Sequence, residues 1–287
     1  MSRRLVLLDT AFLLHRAFHA TAAQADRMRD DRGRVDNAIR GLRGAVDRVR
    51  RQVAMHPVAG TVEVIAAWDC DWRPAWRVAL VGSYKTHRLG DGEDSERIDP
   101  RLAEQFPRAI GALTAAGVPV LGASGCEADD VLATLAHRDR APNRPDAVWI
   151  VTGDRDLCQV VDDAAGVGLL LLSRGGQQWV DEAGVTAMTG VAAAQYVDFA
   201  VLRGDPSDGL PGLPGVGAVT AARLLADFGD LDRLLAAAAD RHTRLRERIA
   251  TALLSHTAAL LAARAVITLR RDAPVRSVTD DTPADSA

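Results

Sequence analysis

Acidic residues at the ends of predicted strands are the side chains of this sequence best placed to do chemistry. Asp9, Asp69 and Asp154 each follow an apolar run that is typical of a buried parallel strand. In open α/β sheets, ligands bind beyond the carboxyl ends of the strands, so these three side chains are expected at one edge of the sheet. A single aspartate there is commonly a helix cap, but three gathered carboxylates repel one another, and a divalent cation relieves that repulsion.

Six further acids lie at the start of a predicted helix, in the turn after a predicted strand, and in a Gly/Pro-rich turn. Each place has a structural alternative, because acids favour helix first turns and tight turns, and Ser124 and Glu127 have capping-box spacing. Carboxylate sites made only of oxygen suit Mg²⁺ or Mn²⁺ rather than zinc. The sequence therefore predicts a metal site with these candidate ligands: Asp9, Asp69, Glu127, Asp129, Asp130, Asp154, Asp156, Asp205 and Asp208.

The composition is that of a folded protein, with 287 residues of which 48% are hydrophobic and 25% are charged. It excludes a disordered or collagen-like chain, and no apolar stretch reaches the ~18 residues that a membrane span needs. The formal net charge of −3 also excludes a simple basic coat for nucleic acid. Without the nine candidate carboxylates the charge would be +6, so we predict an acidic metal pocket in a basic surface, as phosphodiester chemistry requires.

Residue usage bears on the site and on the compartment. Of the 35 basic residues, 34 are arginine and one is Lys85, which is either chance or the mark of a role that arginine does not fill. The cysteines, Cys70, Cys126 and Cys158, form no C-x-x-C pair, which disfavours disulfides and zinc and fits a reducing cytoplasm. Asp9 interrupts the first apolar run, so we expect no secretion signal and a cytoplasmic, nucleoid-associated protein.

Strand and helix patterns alternate through the first 185 residues, which predicts an α/β fold with a mainly parallel central sheet flanked by helices. Predicted strands cover residues 5–8, 62–68, 118–120, 147–151 and 167–172, and predicted helices cover residues 12–23, 35–53, 102–116 and 127–137. From residue 186 to residue 271 we expect helices only, with a Pro/Gly hinge at 204–217. Residues 272–287 are polar and acidic and are predicted to be a disordered tail.

Residues 210–217, with the sequence LPGLPGVG, lead into an apolar helix that contains Thr220. Glycines let a backbone approach a partner closely, and a helix N-terminus offers free N–H groups to phosphate. This helix-hairpin-helix pattern predicts binding to the DNA backbone without reading of bases. The alternative is a Gly/Pro-rich turn between two domains.

A phosphatase is a further alternative, because Asp69-Cys70-Asp71 resembles the D-x-D pair of haloacid dehalogenases. Trp72 follows where those enzymes have Thr or Val, and no second lysine is present in the sequence. Both departures disfavour this interpretation.

Taken in order, the motifs of the chain resemble the 5′-nuclease (flap endonuclease-like) family over about residues 3 to 270. The resemblance is strongest to the N-terminal 5′→3′ exonuclease domain of bacterial DNA polymerase I, in a stand-alone form. The residues that carry it are Leu8-Asp9 with His15-Arg16-Ala17-Phe18, Trp68-Asp69, Tyr84-Lys85 with Arg88, Glu127-Ala128-Asp129-Asp130-Val131, Thr152-Gly153-Asp154-Arg155-Asp156-Leu157, and Arg203-Gly204-Asp205-Pro206-Ser207-Asp208.

The resemblance implies a PIN/5′-nuclease-like domain over residues 1–185, with an arch or clamp at about 73–98, and a helical helix-hairpin-helix subdomain over 186–271. It also implies hydrolysis with two metal ions and a product that carries a 5′-phosphate. The implied ligands are Asp9, Asp69, Glu127 and Asp129 for one ion, and Asp130, Asp154, Asp156, Asp205 and Asp208 for the second.

The resemblance further implies which residues act on the substrate, which would be flaps, nicks and other branched or 5′-ended DNA. Lys85, Arg77 and Asp130 would be catalytic, and Arg77, Lys85 and Arg88 would steer the scissile phosphate from the foot of the arch. The family often holds a K⁺ ion on hairpin carbonyls, here those of residues 212–216. We expect a monomer that works with replication and repair proteins and has no membrane partner. The implied DNA contacts are Tyr84, Lys85, Arg88, Gly212, Gly215, Val216, Gly217 and Thr220.

Some residues depart from the family pattern. Thr10 follows Asp9 where the family usually has glycine, and Val219 replaces a common lysine, so we expect one phosphate contact fewer. The arch carries acids that should repel a threaded strand: Asp91, Glu93, Asp94 and Glu96.

The main hypothesis is a Mg²⁺- or Mn²⁺-dependent, structure-specific 5′ nuclease of DNA replication and repair. Two alternatives stay open, a module that binds branched DNA without cleaving it and a PIN-type ribonuclease. The retained acids disfavour the first alternative, and the hairpin and the chain length disfavour the second.

Overall fold

A central sheet with helices on both faces organises the protein. The computed structural model describes residues 2–54, 60–92, 95–137 and 145–279. Within these residues the sheet has seven strands in the order β6-β5-β4-β1-β2-β3-β7. The strands are β1 (Ser2–Asp9), β2 (Gly60–Ala67), β3 (Val120–Gly122), β4 (Ala147–Thr152), β5 (Val167–Ser173), β6 (Gly176–Val180) and β7 (Arg276–Ser277).

The strands in the middle of the sheet run in one direction, as predicted. β1 pairs in parallel with β2 on one side and with β4 on the other. Leu5 and Leu7 face one hydrophobic cluster, whereas Val6 and Leu8 face a second cluster on the opposite side of the sheet. A strand that is buried on both faces needs apolar residues at successive positions, which explains this run. Because β1, β2 and β4 are parallel, the acids that end or follow them lie at one edge of the sheet.

Six helices accompany the strands in the described residues of the N-terminal part. Gln105 is fully buried and its Oε1 accepts the Ala38 N–H at 2.8 Å, so this side chain caps the second helix from a distant part of the chain. The predicted helix over 102–116 is two helices, because the chain turns at Gln105 and Pro107 starts a new helix in its first turn. The helices are α1 (Thr10–Thr21), α2 (Asn37–Ala54), α3 (Ala75–Leu80), α4 (Pro100–Ala103), α5 (Phe106–Ala115) and α6 (Ala128–His137).

The C-terminal part is helical, as predicted, and packs on one face of the sheet. One hydrophobic cluster includes Leu7 of the first strand, Val131 of α6 and residues such as Phe199 and Leu225 from the C-terminal helices. The sheet and these helices therefore share a core, and the domain boundary at residue 185 stays a prediction. The helices are α7 (Glu182–Thr189), α8 (Tyr196–Arg203), α9 (Ala218–Phe228), α10 (Leu231–Ala239), α11 (Glu247–Ser255) and α12 (Thr257–Ile267).

A search of the described residues for membrane spans finds no single helix of sufficient length and apolar character. Two bent helix pairs satisfy the same test on combined length and composition alone, namely Glu182–Thr189 with Ala193–Arg203 and Glu247–Ser255 with Thr257–Ile267.

The two edge strands differ from the prediction. β6 pairs antiparallel with β5, and its residues 176–179 are exposed, so it has no alternation of apolar and polar residues to predict it. β7 pairs antiparallel with β3, which places residues 276 and 277 in the sheet. The prediction of a disordered tail from residue 272 is therefore wrong for residues 272–279, where Ala273 is also buried. Residues 280–287, like Glu93 and Asp94 of the predicted arch, lie outside the described residues.

Candidate active site

A cleft with a volume of about 570 Å³ opens where the central strands end. Eight of the nine predicted metal ligands line it, and Asp130 is the exception. Nine carboxylates and four cationic side chains meet there, so negative charge is in excess. The carboxylates are Asp9, Asp69, Glu96, Glu127, Asp129, Asp154, Asp156, Asp205 and Asp208, and the cationic side chains are Lys85, Arg88, Arg155 and Arg203.

Asp9 and Asp154 form the part of the cleft that follows β1 and β4. Asp9 Oδ1 accepts the Phe12 N–H at 3.1 Å and so caps α1, while its Oδ2 accepts the Thr152 hydroxyl at 2.7 Å. Thr152 Oγ1 accepts the Asp154 N–H at 2.9 Å, so one buried hydroxyl orients both acids. Sequence reasoning did not assign a role to Thr152. Its signal was a hydroxyl residue that ends a strand one position before Gly153-Asp154.

Glu127 and Asp69 are held at the N-terminus of α6. Asp69 Oδ1 accepts the Ala128 N–H at 2.6 Å, which places its charge at the positive end of the helix. Glu127 Oε1 accepts the Tyr84 hydroxyl at 2.6 Å and an Arg77 N–H at 2.8 Å, and its Oε2 accepts from Lys85 Nζ. Both oxygens of Glu127 are therefore engaged, although the residue lines the cleft.

Lys85, in the N-terminal part of the chain, is hydrogen-bonded to the turn that follows α8 in the C-terminal part. Its backbone N–H donates to the Asp208 carbonyl at 3.0 Å, and its φ of 50° is in the left-handed region. Gly209 lies so close to this segment that a Cβ there would be 2.5 Å from the Ser83 carbonyl oxygen. Lys85 Nζ also donates to the Trp72 carbonyl at 3.3 Å, and only 7% of the residue is exposed. The structure thus places the lone lysine in the wall of the cleft.

Asp205 and Asp208 lie in the turn that faces this lysine. Arg203 forms an ion pair with Asp205 at 3.1 Å, and Arg88 forms one with Asp208 at 3.3 Å. Arg203 belongs to a motif noticed in the sequence, but its role as the partner of Asp205 was missed because an i, i+2 pair at the end of a helix has no characteristic spacing. Each ion pair holds a carboxylate at the rim.

Arg77 and Asp130 contact each other behind the cleft and neither lines it, which disfavours their predicted roles. Two Arg77 nitrogens donate to the two Asp130 oxygens at 2.9 and 2.7 Å, and Asp130 also accepts the Arg270 N–H at 3.0 Å. Asp130 is fully buried and only 2% of Arg77 is exposed. A carboxylate with both oxygens in such a pair is not free to bind a metal ion, and this guanidinium does not reach a phosphate.

The other predicted DNA contacts divide into exposed and buried groups. Tyr84 is buried with its hydroxyl on Glu127, and Val216 is buried with its N–H donating to the Leu213 carbonyl at 3.0 Å. A Cβ on Gly212 would overlap the backbone nitrogen of Gly204, so that glycine serves internal packing. The structure gives all three residues internal contacts, and their predicted contacts with DNA stay predictions. The predicted contacts that line the cleft or face solvent are Lys85, Arg88, Gly215, Gly217 and Thr220.

Comparisons with known proteins now identify the family. The family model described as "5'-3' exonuclease, N-terminal resolvase-like domain" matches residues 4–190, and the one described as "5'-3' exonuclease, C-terminal SAM fold" matches residues 191–287. The chain belongs to the 5′–3′ exonuclease family. It is therefore related to nucleases, which hydrolyse phosphodiester bonds.

Relatives of this exonuclease family are similar over most of the chain. A 5′-3′ exonuclease of Streptomyces coelicolor is 44% identical over 246 residues, which is 84% of this chain and 77% of the relative. One of Mycobacterium tuberculosis is 42% identical over 299 residues, which is 99% of this chain and 88% of the relative. DNA polymerase I of Mycobacterium bovis is 35% identical over 96% of this chain, which spans only 28% of that polymerase.

Solved structures share the exonuclease fold. The T5 5′-exonuclease with bound zinc has a TM-score of 0.71 and 17% identity, over 93% of this chain and 90% of that one. The catalytic core of Rad2 in complex with DNA substrate has a TM-score of 0.52 and 15% identity, over 94% and 80%. Sequence identity at this level establishes the shared fold alone.

The carboxylates of the exonuclease cleft lack enough positive charge in their surroundings. Burial raises the pKa of Asp9 from 3.8 to about 7; the Thr152 hydrogen bond opposes this rise, and the charge of Asp69 adds to it. Burial likewise raises the pKa of Asp69 to about 6, against the Ala128 N–H. Burial followed by the charge of Asp154 raises the pKa of Asp129 well above its ordinary value. Each shift means that the protein resists full ionisation of this set in the absence of a cation.

The donor set fits a hard divalent cation. The cleft offers carboxylate oxygens and no thiol, and its negative charge exceeds that of its cationic side chains. Among the described residues, no three of these groups converge on one point as a closed ligand cage. A bound cation would offset the mutual repulsion of these carboxylates.

The raised pKa values predict how stability depends on pH when divalent ions are removed. Folded Asp9 keeps its proton up to about pH 7 whereas unfolded Asp9 loses it near 3.8, so folding takes up protons and stability falls as the pH rises through this window. We expect the Tm of chelated protein to fall by about 6–11 °C from pH 5 to pH 8. The two pKa units between pH 5 and the folded pKa of Asp9 are about 2.8 kcal/mol, and 1 kcal/mol shifts Tm by about 2–4 °C.

Differential scanning fluorimetry with EDTA and with saturating Mg²⁺ measures this effect. Mg²⁺ should raise Tm more at pH 8 than at pH 5, because the ionised carboxylates bind it. A chelated protein whose Tm rises from pH 5 to pH 8 would contradict the prediction.

Proposed function

We propose that this protein hydrolyses DNA phosphodiesters at 5′ ends, flaps and nicks, with Mg²⁺ or Mn²⁺ bound by the acids of the cleft. The observation that carries the proposal is the convergence of eight carboxylates from five separate segments of the chain on one cleft of a 5′–3′ exonuclease. Such crowding destabilises a protein unless a ligand uses it. The T5 flap endonuclease, a structure of the same fold, has been solved with DNA and metal ions, which supports this choice.

We assign the cation-binding residues by the charge of the hydrogen-bond donors on their oxygens. Asp9, Asp69 and Asp129 would hold one ion, and the acids of the opposite side would serve a second. Bound divalent ions supply a water nucleophile at neutral pH and stabilise the charge that develops on the leaving oxygen. We exclude Glu127 from direct ligation, since its two oxygens accept from the charged Arg77 and Lys85 side chains. The hydrogen-bond donors to Asp9 and Asp69 are neutral, so the charge of these two acids is not offset in this way. The acids of the opposite side are Asp154, Asp156, Asp205 and Asp208.

The remaining residues of the cleft orient the scissile phosphate. Glu127 holds Lys85 in the wall of the cleft. Burial lowers the pKa of Lys85, but the carboxylates of Glu127 and Asp208 together raise it further, so the ammonium group stays charged at neutral pH. Arg88 reaches the rim beside Asp208, where a phosphate can exchange with that carboxylate. The charge of this cation pair would draw the phosphate toward the acids. A K⁺ ion on the carbonyls of residues 212–216 stays a prediction.

Cleavage by an acid-deficient variant tests the proposal. Asp154→Asn should lower the cleavage rate of labelled 5′-flap DNA by about 100-fold or more, because several kcal/mol of charge stabilisation are lost, while binding to the flap is retained. The matched control is Asp47→Asn on the exposed face of α2, which removes the same charge far from the cleft.

The same assay separates the alternatives. Wild-type protein that binds flap DNA but leaves it intact across Mg²⁺ and Mn²⁺ titrations would establish the non-cleaving module. Preferred cleavage of single-stranded RNA would establish the ribonuclease, and an active Asp154→Asn variant would refute the assigned site.

Replacement of the lone lysine tests whether its shape matters. Lys85→Arg should lower the cleavage rate at saturating DNA by about tenfold and change the Kd by less than about threefold, because a planar guanidinium cannot occupy the space of a compact ammonium beside Glu127. Lys85→Gln, which has no charge, separates shape from charge. Single-turnover kinetics give the cleavage rate. A wild-type rate in Lys85→Arg would mean that arginine serves equally well and that the lysine is present by chance.

Two glycines of the hairpin form a matched pair for DNA binding. A Cβ on Gly217 meets no atom within 4 Å, so Gly217→Ala should preserve Tm and weaken DNA binding by obstructing the approach of a phosphate to α9. Gly212 has a φ of 72° and no space for a Cβ, so Gly212→Ala should lower the stability by about 2 kcal/mol or more. Thermal melts and fluorescence anisotropy measure both effects. Equal DNA affinity of Gly217→Ala and wild type would argue against contact at α9.

A further inference from the structure

Five arginines are exposed around the loop between α10 and α11. Three of them, Arg241, Arg244 and Arg246, belong to the loop at residues 240–246, Arg248 lies in the first turn of α11, and Arg223 lies on α9. We call this group the loop arginine cluster. It lies outside the cleft described above and was not assigned a role from the sequence.

The loop that carries the cluster has a defined conformation. Leu245 is buried in the hydrophobic core, while Arg244 and Arg246 on either side of it are exposed. The Leu245 N–H donates to the His242 carbonyl at 2.9 Å, and the Arg244 N–H donates to His242 Nδ1 at 3.2 Å. The His242 ring packs edge-on against Phe228 at 5.6 Å. The buried Leu245 side chain and the ring contact of His242 with Phe228 therefore fix the loop with its guanidinium groups toward solvent.

The cluster adjoins the helix-hairpin-helix segment. A small cavity of about 60 Å³ between α9 and the loop is lined by Thr220, Arg223, Arg244 and Arg246 together with neighbouring side chains. On the other side, Arg248 Nη2 is 3.1 Å from the position that a Cβ on Gly215 would occupy. The arginines thus continue the surface that begins at the exposed glycines of the hairpin.

The charges of the cluster are not neutralised by ion pairs. In the part of the chain that the structure describes, none of the five arginines forms an ion pair with a carboxylate, whereas Arg233 and Arg264 of the same helical region pair with Asp230 and Asp232.

Three acids surround the cluster. Asp227 lines the small cavity, and Asp240 and Glu247 are neighbours along the chain, so the local count is five arginines to three acids. The surface is positively charged in a protein whose net charge is −3.

The helix-hairpin-helix segment has no cationic side chain at the second position of α9, next to the cluster. Val219, at the second position of α9, is 86% exposed and offers only hydrocarbon to a ligand at this helix N-terminus. The backbone N–H groups of α9 can bind a phosphate, but an apolar side chain adds no ionic attraction. The arginines on the neighbouring loop supply the cationic side chains that α9 lacks there.

We propose that the loop arginine cluster binds the phosphate backbone of duplex DNA and extends the contact made by the hairpin. This inference rests on the proposed function. Guanidinium groups bind phosphate oxygens through paired N–H donors, and such contacts carry no base specificity. Proteins that bind single strands add aromatic platforms for the bases, and none of the described residues that line the small cavity is aromatic. The cluster therefore fits the outside of a duplex.

The salt dependence of DNA binding tests this inference. Each phosphate contact contributes about 0.9 to the slope of log K against log salt concentration, so Arg244→Gln/Arg246→Gln should reduce the slope by about 1.8. The Kd for a duplex should rise by roughly tenfold or more at about 0.1 M salt. Binding is measured by fluorescence anisotropy in EDTA, where no cleavage occurs, and thermal melts confirm that the variant is folded.

Two further variants keep the test specific. Arg244→Lys/Arg246→Lys retains both charges and should restore most of the slope. Arg48→Gln/Arg51→Gln removes two exposed charges from α2 and should leave the slope at the wild-type value. The same titrations are repeated with a single-stranded oligonucleotide, for which the glutamine variant should lose little affinity.

A wild-type slope for Arg244→Gln/Arg246→Gln on duplex DNA would overturn the proposal, and so would an equal loss for single strands and duplex. Because binding is measured without divalent ions, this result does not depend on cleavage. A wild-type protein that fails to cleave flaps but shows the expected slopes refutes the proposed function and retains the duplex surface. Wild-type cleavage of flaps, together with a wild-type slope for Arg244→Gln/Arg246→Gln, supports the proposed function and refutes the duplex surface.

Discussion

Confinement of negative charge in one small volume is the constraint on which the rest of this structure depends. Nine carboxylates line the cleft with only four cationic side chains. The fold accommodates them because donors fixed by secondary structure reach the acids from behind: the start of α1 and the Thr152 hydroxyl for Asp9, and the start of α6 for Asp69. A carboxylate oxygen has further lone pairs, so these acids remain able to bind a cation from the cleft. The edge of the sheet where helices begin is therefore the place that can hold them.

Arg77 meets a different requirement, which is to connect the layers of the protein behind the cleft. Its guanidinium donates to Glu127, to Asp130 and to the Val266 carbonyl at the end of α12. A buried ion pair adds little net stability because its desolvation is costly, but breaking it leaves an unpaired charge. The last helix is thereby connected to the acid that holds Lys85. The described residues contain no buried side-chain nitrogen or oxygen without a partner, which agrees with a fully satisfied network.

Features set by residues that are close in the sequence were predicted, and features set by contacts between distant residues were not. The parallel strands and the acids at their ends are local patterns, and the order of Asp9, Asp69 and Asp154 along the chain was enough to place them at one edge. The partner of Asp130 could not be predicted from the sequence, because Arg77 lies 53 residues away along the chain. The adjacent Asp129 faces the cleft instead. The internal packing of Gly212 was also not predictable, because the sequence does not distinguish a glycine that packs internally from one that meets DNA. The strand β7 has two residues, too few for a periodic pattern.

The contact between the Lys85 segment and the turn at Asp208 has a consequence for the order of events during synthesis. The cleft draws residues from the first strand, from the middle of the chain and from the turn before α9. A nascent chain that ends before Asp205 carries the strands and most of the acids, but it lacks the backbone carbonyl that receives the Lys85 N–H and the glycine that abuts Ser83. Completion of the cleft is thus coupled to completion of the helical region. A partly translated chain does not present a finished hydrolytic centre to the nucleic acids around the ribosome.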